Sequence, residues 1–307
     1  MELSLPSLSS LAGRLRRPLA AALFAAACAT MGAPAAGRAE VAAAPDIQSI
    51  VSRGTLRVAA YRHDLPPFIF TREDGTLDGI DVKLAEDIAK KLGVSVEFVR
   101  TTADFNVLPE LLVERKADLI ISALSLTLRR AKAIRFTQPY VRLRKALMVN
   151  RLKAVGIVDT AADVVQLDRP DIVIGANQGS AYAQFARDLF PNATLRTYAR
   201  HREAAPDLLS GAVHAYLCDE TCAGAYNRKQ PWQKDRPFPE WGLYVQTFFI
   251  PGGTDPIAIG VHPEDAMLQE WLNQYLAAAT DDGSLAALTG RFLDQGKKAG
   301  KEKSKHD

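Results

Sequence analysis

The sequence predicts an α/β protein. Short apolar runs recur along the chain, and stretches of helical periodicity separate them, as in parallel strands joined by helical crossovers. The chain has 307 residues and 48% hydrophobic content, enough to build cores for about two domains of ordinary size. The first strand is expected at Thr55-Leu-Arg-Val-Ala-Ala60. A helix over residues 81–92 follows, because Val82, Ala85, Ile88, Ala89 and Leu92 share one face and Gly93 supplies a stop. Strands are then expected at 94–99 and 118–122, with a short helix from Pro109 to Arg115 between them. The second half of the chain repeats the alternation, with strands at 146–149, 172–176, 215–218 and 257–261. Helices are expected from Ala181 to Leu189 and from Glu264 to Ala279. The second of these places Met267, Leu268, Trp271, Leu272 and Tyr275 at helical spacing. The stretch Pro231–Pro239 reads as irregular, and Pro251-Gly-Gly-Thr-Asp-Pro256 reads as a break where the chain crosses between domains. From Gly296 the chain is Lys-rich and without apolar residues, so a disordered tail (297–307) is expected.

The first 39 residues read as an export leader. Arg14, Arg16 and Arg17 precede the apolar run from Leu19, and small residues continue through Ala39. The run is too short to span a bilayer, and no later segment approaches the ~20 apolar residues that a span needs. Cys28 follows three alanines but lacks the leucine of a lipoprotein site, so cleavage near Ala39 into the periplasm is expected over a lipid anchor. Removing the leader takes away four arginines and one glutamate and leaves a mature net charge of about zero. That balance argues against nucleic acid or a membrane surface as partner.

The stretch Ser122-Ala-Leu-Ser-Leu-Thr-Leu-Arg-Arg130 ends a strand and opens a helix. Hydroxyls at Ser122, Ser125 and Thr127 meet the free N–H groups of a helix start there, and Arg130 offers a bidentate grip one turn in, so the stretch reads as a carboxylate socket. The alternative is a capped helix with solvated arginines. Nothing in the sequence suggests a metal motif, a nucleophile–base pair or a phosphate-cradling glycine loop, and no cofactor is expected.

An ordered set of motifs extends this reading: Arg53-Gly-Thr-Leu-Arg-Val, Pro66-Pro-Phe68, Asp78-Gly-Ile-Asp81, Lys116-Ala-Asp118-Leu-Ile, the Ser122–Arg130 block, Phe136-Thr-Gln-Pro139-Tyr140, Gly175–Ser180, Ala215-Tyr-Leu-Cys-Asp219 and Asp282-Gly-Ser-Leu. Each is weak alone, but in this order they resemble the periplasmic solute-binding proteins of bacterial ABC importers for polar amino acids. The resemblance implies a two-lobed periplasmic binding protein fold (type II) with two crossing segments and a ligand cleft between the lobes. Lobe 1 would comprise residues 46–141 plus 254–296, and lobe 2 residues 142–253. It further implies that Arg130 holds the α-carboxylate of an amino acid, supported by Ser125 and Thr127 and by N–H donors at Gly179 and Ser180. Asp219 would take the α-ammonium, and Phe68 and Phe105 would pack either the ligand side chain or the core. The implied partners are the ligand and an inner-membrane ABC permease, with the protein itself a monomer.

The chain also departs from the pattern. Leu65 stands where an aromatic is common, the loop Tyr61-Arg62-His63-Asp64 is one residue longer, Val107 replaces an arginine, and His214 replaces an aspartate. In an exported protein Cys218 and Cys222, which flank Asp219, are a candidate disulfide, with free thiols as the alternative. Two other functions fit the same scaffold. One is a cyclohexadienyl or arogenate dehydratase-like enzyme, for which Glu220 is the candidate proton donor. The other is a ligand-sensing module for a membrane receptor.

Overall fold

The structure, a computed structural model, describes residues 43–227, 238 and 240–293. The leader with Cys28, nearly all of Pro231–Pro239 and the Lys-rich tail lie outside the described residues. In chain order the strands are β1 (Thr55–Ala59), β2 (Phe70–Thr71), β3 (Leu77–Asp78), β4 (Ser95–Val99), β5 (Leu119–Ile120), β6 (Arg135–Phe136), β7 (Val141–Asn150), β8 (Val173–Asn177), β9 (Thr194–Tyr198), β10 (Ala215–Asp219), β11 (Val245–Ile257) and β12 (Gly260–Val261). They form one sheet in the order β4-β1-β5-β12-β6, a second in the order β11-β7-β10-β8-β9, and the small hairpin β2–β3.

Both large sheets are mixed rather than purely parallel. Pairing is parallel for β1 with β4 and β5, and for β8 with β9 and β10, where helices fill the connections. It is antiparallel wherever β7, β11 or β12 takes part. The helix Ile80–Leu92 buries Val82, Ala85, Ile88 and Ala89 as expected and ends at Gly93 in the left-handed conformation, φ 71°. With Leu56, Val58 and Leu119 from the first sheet and Leu268, Leu272 and Leu276 from the helix Ala266–Asp281, it forms one hydrophobic core. A second core gathers Leu147, Val149, Ile174, Ala183 and Leu217 around the second sheet.

β7 and β11 connect the two. At its start β7 contributes Leu143 to the first core, and further on Leu147 and Val149 to the second. β11 runs antiparallel beside it, with Val245 opposite Asn150 and Ile257 opposite Val141. These are the two crossing segments of a two-lobed architecture. The Pro251–Pro256 segment, read as a break where the chain crosses between domains, lies inside the crossing strand β11. It is absorbed as a register shift between Phe249 and Thr254, after which pairing resumes.

Several elements escaped the sequence reading. The helices Pro45–Arg53 and Ser284–Leu293 each bury a single residue, Ile50 and Phe292, and β9 buries none, so little of each is marked by burial.

One buried carboxylate holds the region beneath the site. Asp81 is fully buried and accepts hydrogen bonds from the Tyr140 hydroxyl at 2.7 Å and from Ala123 N at 2.7 Å. Ala123 has φ 44°, a conformation disfavoured for any residue with a Cβ, and the Asp81 contact helps to pay that cost. Burial raises the Asp81 pKa from 3.8 to about 7 against the opposing effect of both hydrogen bonds. Between those two values the unfolded chain is ionised at this position while the folded chain keeps its proton. This contribution to stability is therefore intact below pH 3.8, declines as pH rises towards 7, and stays lost above. Asp81→Asn is expected to flatten the melting temperature across that window relative to the parent chain, where about 1 kcal/mol corresponds to ~2–4 °C. Parallel curves for the two proteins would remove the assignment.

Candidate functional site

A cavity of about 880 Å³ opens between the two sheets, lined by residues of both and of the crossing strands. Among the residues that the sequence nominated, Arg130, Ser125, Ser180, Asp219, Phe68 and Phe105 line it, and Thr127 and Gly179 do not.

Arg130 belongs to the one-turn helix Leu128–Ala131, whose first residue follows Thr127; the Thr127 hydroxyl accepts the Arg130 N–H at 3.3 Å. The side chain is buried, at 6% exposure. Its Nη1 donates to the Ser125 carbonyl at 2.9 Å, and its Nη2 donates across the cavity to the Gly179 carbonyl at 3.4 Å. Desolvation lowers its pKa to about 10, with the nearby Asp255 opposing that shift. No carboxylate lies within ion-pair distance of it among the described residues. The three hydroxyls expected near a ligand each take a partner within the protein: Ser122 accepts Tyr61 N at 2.8 Å, Ser125 donates to Asp255 at 2.8 Å, and Thr127 accepts Arg130 N and caps the helix.

Asp219 closes β10 at the opposite wall. Its Oδ1 accepts Thr221 N at 2.7 Å, Cys222 N at 3.0 Å and the Thr221 hydroxyl, and so caps the helix Glu220–Asn227. Among the described residues Oδ2 receives no hydrogen bond. Desolvation raises the pKa of the half-buried carboxyl despite these donors. Ser180 plays a similar double part: its hydroxyl donates to Asn177 O at 2.7 Å and accepts Ala183 N at 3.4 Å, capping the helix Ala181–Leu189.

Gly179 contributes through its backbone. It sits at φ 69°, a conformation that favours glycine, and a Cβ there would displace the Asp104 carboxylate. Phe105 stacks on Tyr61 with centroids 4.4 Å apart and the rings 5° from parallel. Both Phe68 and Phe105 serve core and cavity together.

The disulfide considered for Cys218 and Cys222 is not formed; both are free thiols. The Cys218 thiol is buried among Tyr216, Ala223 and Tyr226 and turns to the Asp219 carbonyl at 3.4 Å, and burial pushes its pKa well up. Glu220 does not line the cavity. Its carboxylate accepts Arg144 N and Nε, each at 2.9 Å.

Sequence reasoning missed Asp255. It was read as part of a break, yet it lies on the crossing strand β11, lines the cavity and is 0% exposed. One oxygen takes the Ser125 hydroxyl. The other has no aligned partner among the described residues, although the Tyr182 hydroxyl lies close enough to favour the charged form. Burial outweighs both and raises the Asp255 pKa to about 6. The one available signal was an aspartate separated by a single proline from the apolar run Ile257–Val261.

A sequence model described as bacterial extracellular solute-binding proteins, family 3, matches residues 56–295. The chain is similar to the ABC transporter arginine-binding protein 1 of Escherichia coli (strain K12), with 25% identity over 75% of this chain and 87% of that one. Among solved structures, a putative binding component of an ABC transporter from Wolinella succinogenes DSM 1740, complexed with lysine, aligns at TM-score 0.66 and 28% identity over 79% of this chain and 97% of that one. The ancestral amino acid-binding protein AncCDT-1, described as a precursor of cyclohexadienyl dehydratase, aligns at TM-score 0.66 and 28% identity over 80% and 99%.

Proposed function

The chain belongs to the bacterial extracellular solute-binding proteins, family 3, and from that premise we propose that it captures an amino acid outside the cytoplasm and delivers it to an ABC importer. One observation carries the reading to particular residues. Arg130 is buried without an ion-pair partner among the described residues, and across the same cavity Asp219 keeps an oxygen without a hydrogen bond among them. An α-amino acid offers a carboxylate to the first and an ammonium to the second, satisfying two groups that are costly to leave bare. Arg130 follows β5 in the first sheet and Asp219 ends β10 in the second, so one zwitterion touching both favours the closed arrangement of the lobes by its differential affinity. The lobes on this reading are residues 46–141 plus 254–296 and residues 142–253, and the leader directs the chain to the periplasm, where it acts as a monomer.

Binding here proceeds without turnover. Glu220, the candidate proton donor for a dehydratase, is engaged with Arg144 away from the cavity, which favours capture. A thermal-shift screen of the chain from about residue 40, against amino acids, opines, polyamines and prephenate, tests the proposal. A rise in melting temperature with one class of α-amino acid is the expected result. A response to prephenate alone, with consumption of it, would replace capture by catalysis.

A further inference from the structure

The cavity is far larger than the two poles of a zwitterion require, and its charge is lopsided. Five arginines line it against three aspartates, with no lysine or glutamate. The surplus gathers at the mouth, where two loops meet. The Tyr61 hydroxyl donates to the Ala199 carbonyl at 3.3 Å, bringing the loop that carries Arg62 against the loop that carries Arg200 and Arg202. Arg62 is held in place by its own N–H, bonded to Thr102 O at 2.8 Å.

The partners of these arginines separate them into two kinds. Arg100 is paired with Asp64 at 3.1 Å, and Arg200 with Glu203 at 2.8 Å. Asp64 also accepts Thr71 N at 3.0 Å and the Thr71 hydroxyl at 3.1 Å, so the acid that lines the cavity at this end is already engaged. The side chains of Arg62 and Arg202 make no ion pair among the described residues, and both are exposed to the cavity mouth from opposite lobes. His201, between Arg200 and Arg202, has its pKa pushed down to about 4 by burial and adds no charge near neutral pH.

We infer that the ligand is an amino acid whose side chain ends in a second anionic group, held across the mouth by Arg62 and Arg202. The inference rests on the amino-acid reading of Arg130 and Asp219 and extends it to the far end of the same cavity. A distal carboxylate gives each arginine a partner and links the two loops, whereas a distal ammonium or guanidinium would meet like charge from Arg62 and Arg202. The contact is partly screened by water and salt, so its effect is moderate and weakens with ionic strength.

Calorimetry at low ionic strength with the chain from about residue 40 compares glutamate with glutamine and 2-aminoadipate with its side-chain amide, and includes arginine and ornithine. One acid is expected to bind about five- to tenfold tighter than its amide, the scale of a partly exposed charge contact. Arg62→Gln and Arg202→Gln are each expected to cut affinity for the acid by a similar factor and to leave the amide within about twofold. Both residues are exposed, so folding is preserved, and the apo melting temperature checks that. If arginine, ornithine or the amides bind tighter, or if both variants weaken acid and amide equally, the inference is wrong while Arg130-dependent capture stands. If no α-amino acid binds, the inference and the reading beneath it fall together.

Discussion

Replacing Arg130 with alanine is expected to weaken binding of every α-amino acid by about 100-fold or more, the scale of removing one partner of a desolvated charge pair. The guanidinium is buried, it spends one Nη1 and one Nη2 donor on the Ser125 and Gly179 carbonyls, and no carboxylate of the described residues lies within ion-pair distance, although Asp255 and Asp104 are near enough to favour its charged form. A ligand carboxylate is the counter-ion this arrangement lacks. Arg130→Lys is expected to fall between parent and alanine, because it keeps the charge and loses the planar fork. The loss has a secondary consequence at Asp255. Without the cation nearby, that buried carboxyl moves further towards its protonated form, which limits the cost to the apo protein. Calorimetric titration with the best ligand found checks the prediction. Affinity within about twofold of the parent chain would mean that the carboxylate is held elsewhere.

Asp219→Asn is expected to weaken amino acids by about ten- to a hundredfold while leaving their des-amino analogues little changed, since a charge-assisted bond becomes a neutral one. Asparagine is the informative choice because it keeps an acceptor for Thr221 N and Cys222 N, so the helix Glu220–Asn227 remains capped. Alanine would confound loss of the cap with loss of the ligand. The direction of the Asp219 shift adds a pH signature. Because desolvation raises its pKa, the ionised form that would hold an ammonium is lost on acidification sooner than at an ordinary aspartate. Equal losses for the amino acid and its des-amino analogue would place Asp219 outside the ammonium site.

The residues that were legible beforehand share one property: their role follows from a local pattern. The face of the helix Ile80–Leu92 and its glycine stop, and the apolar cores of β1, β4 and β10, need only neighbours in sequence to be recognised. Arg130 and Asp219 could be nominated because each stands where a strand gives way to a helix, in a motif that resembles the family's, and the structure brings both to one cavity. What the pattern does not carry is how groups distant along the chain divide their hydrogen bonds. Ser125 reads as a ligand donor and is spent on Asp255, 130 residues later. Thr127 reads the same way and caps its own helix. Gly179 reads as an N–H donor, and its carbonyl in addition receives Arg130, which no local pattern shows.

By itself the sequence determined the alternating α/β order and the helix faces, since periodicity and capping act over a few residues, and it nominated Arg130 and Asp219 as candidate poles through the resemblance of their motifs. Only the tertiary structure decided that the Pro251–Pro256 break is a bulge within a crossing strand, that Cys218 and Cys222 are free thiols, and that Asp255 lies buried beside the arginine. Those outcomes depend on which sheet edge a segment meets and which side chains it excludes from water, and desolvation of a carboxylate such as Asp255 or Asp81 exists only once the surrounding core has closed.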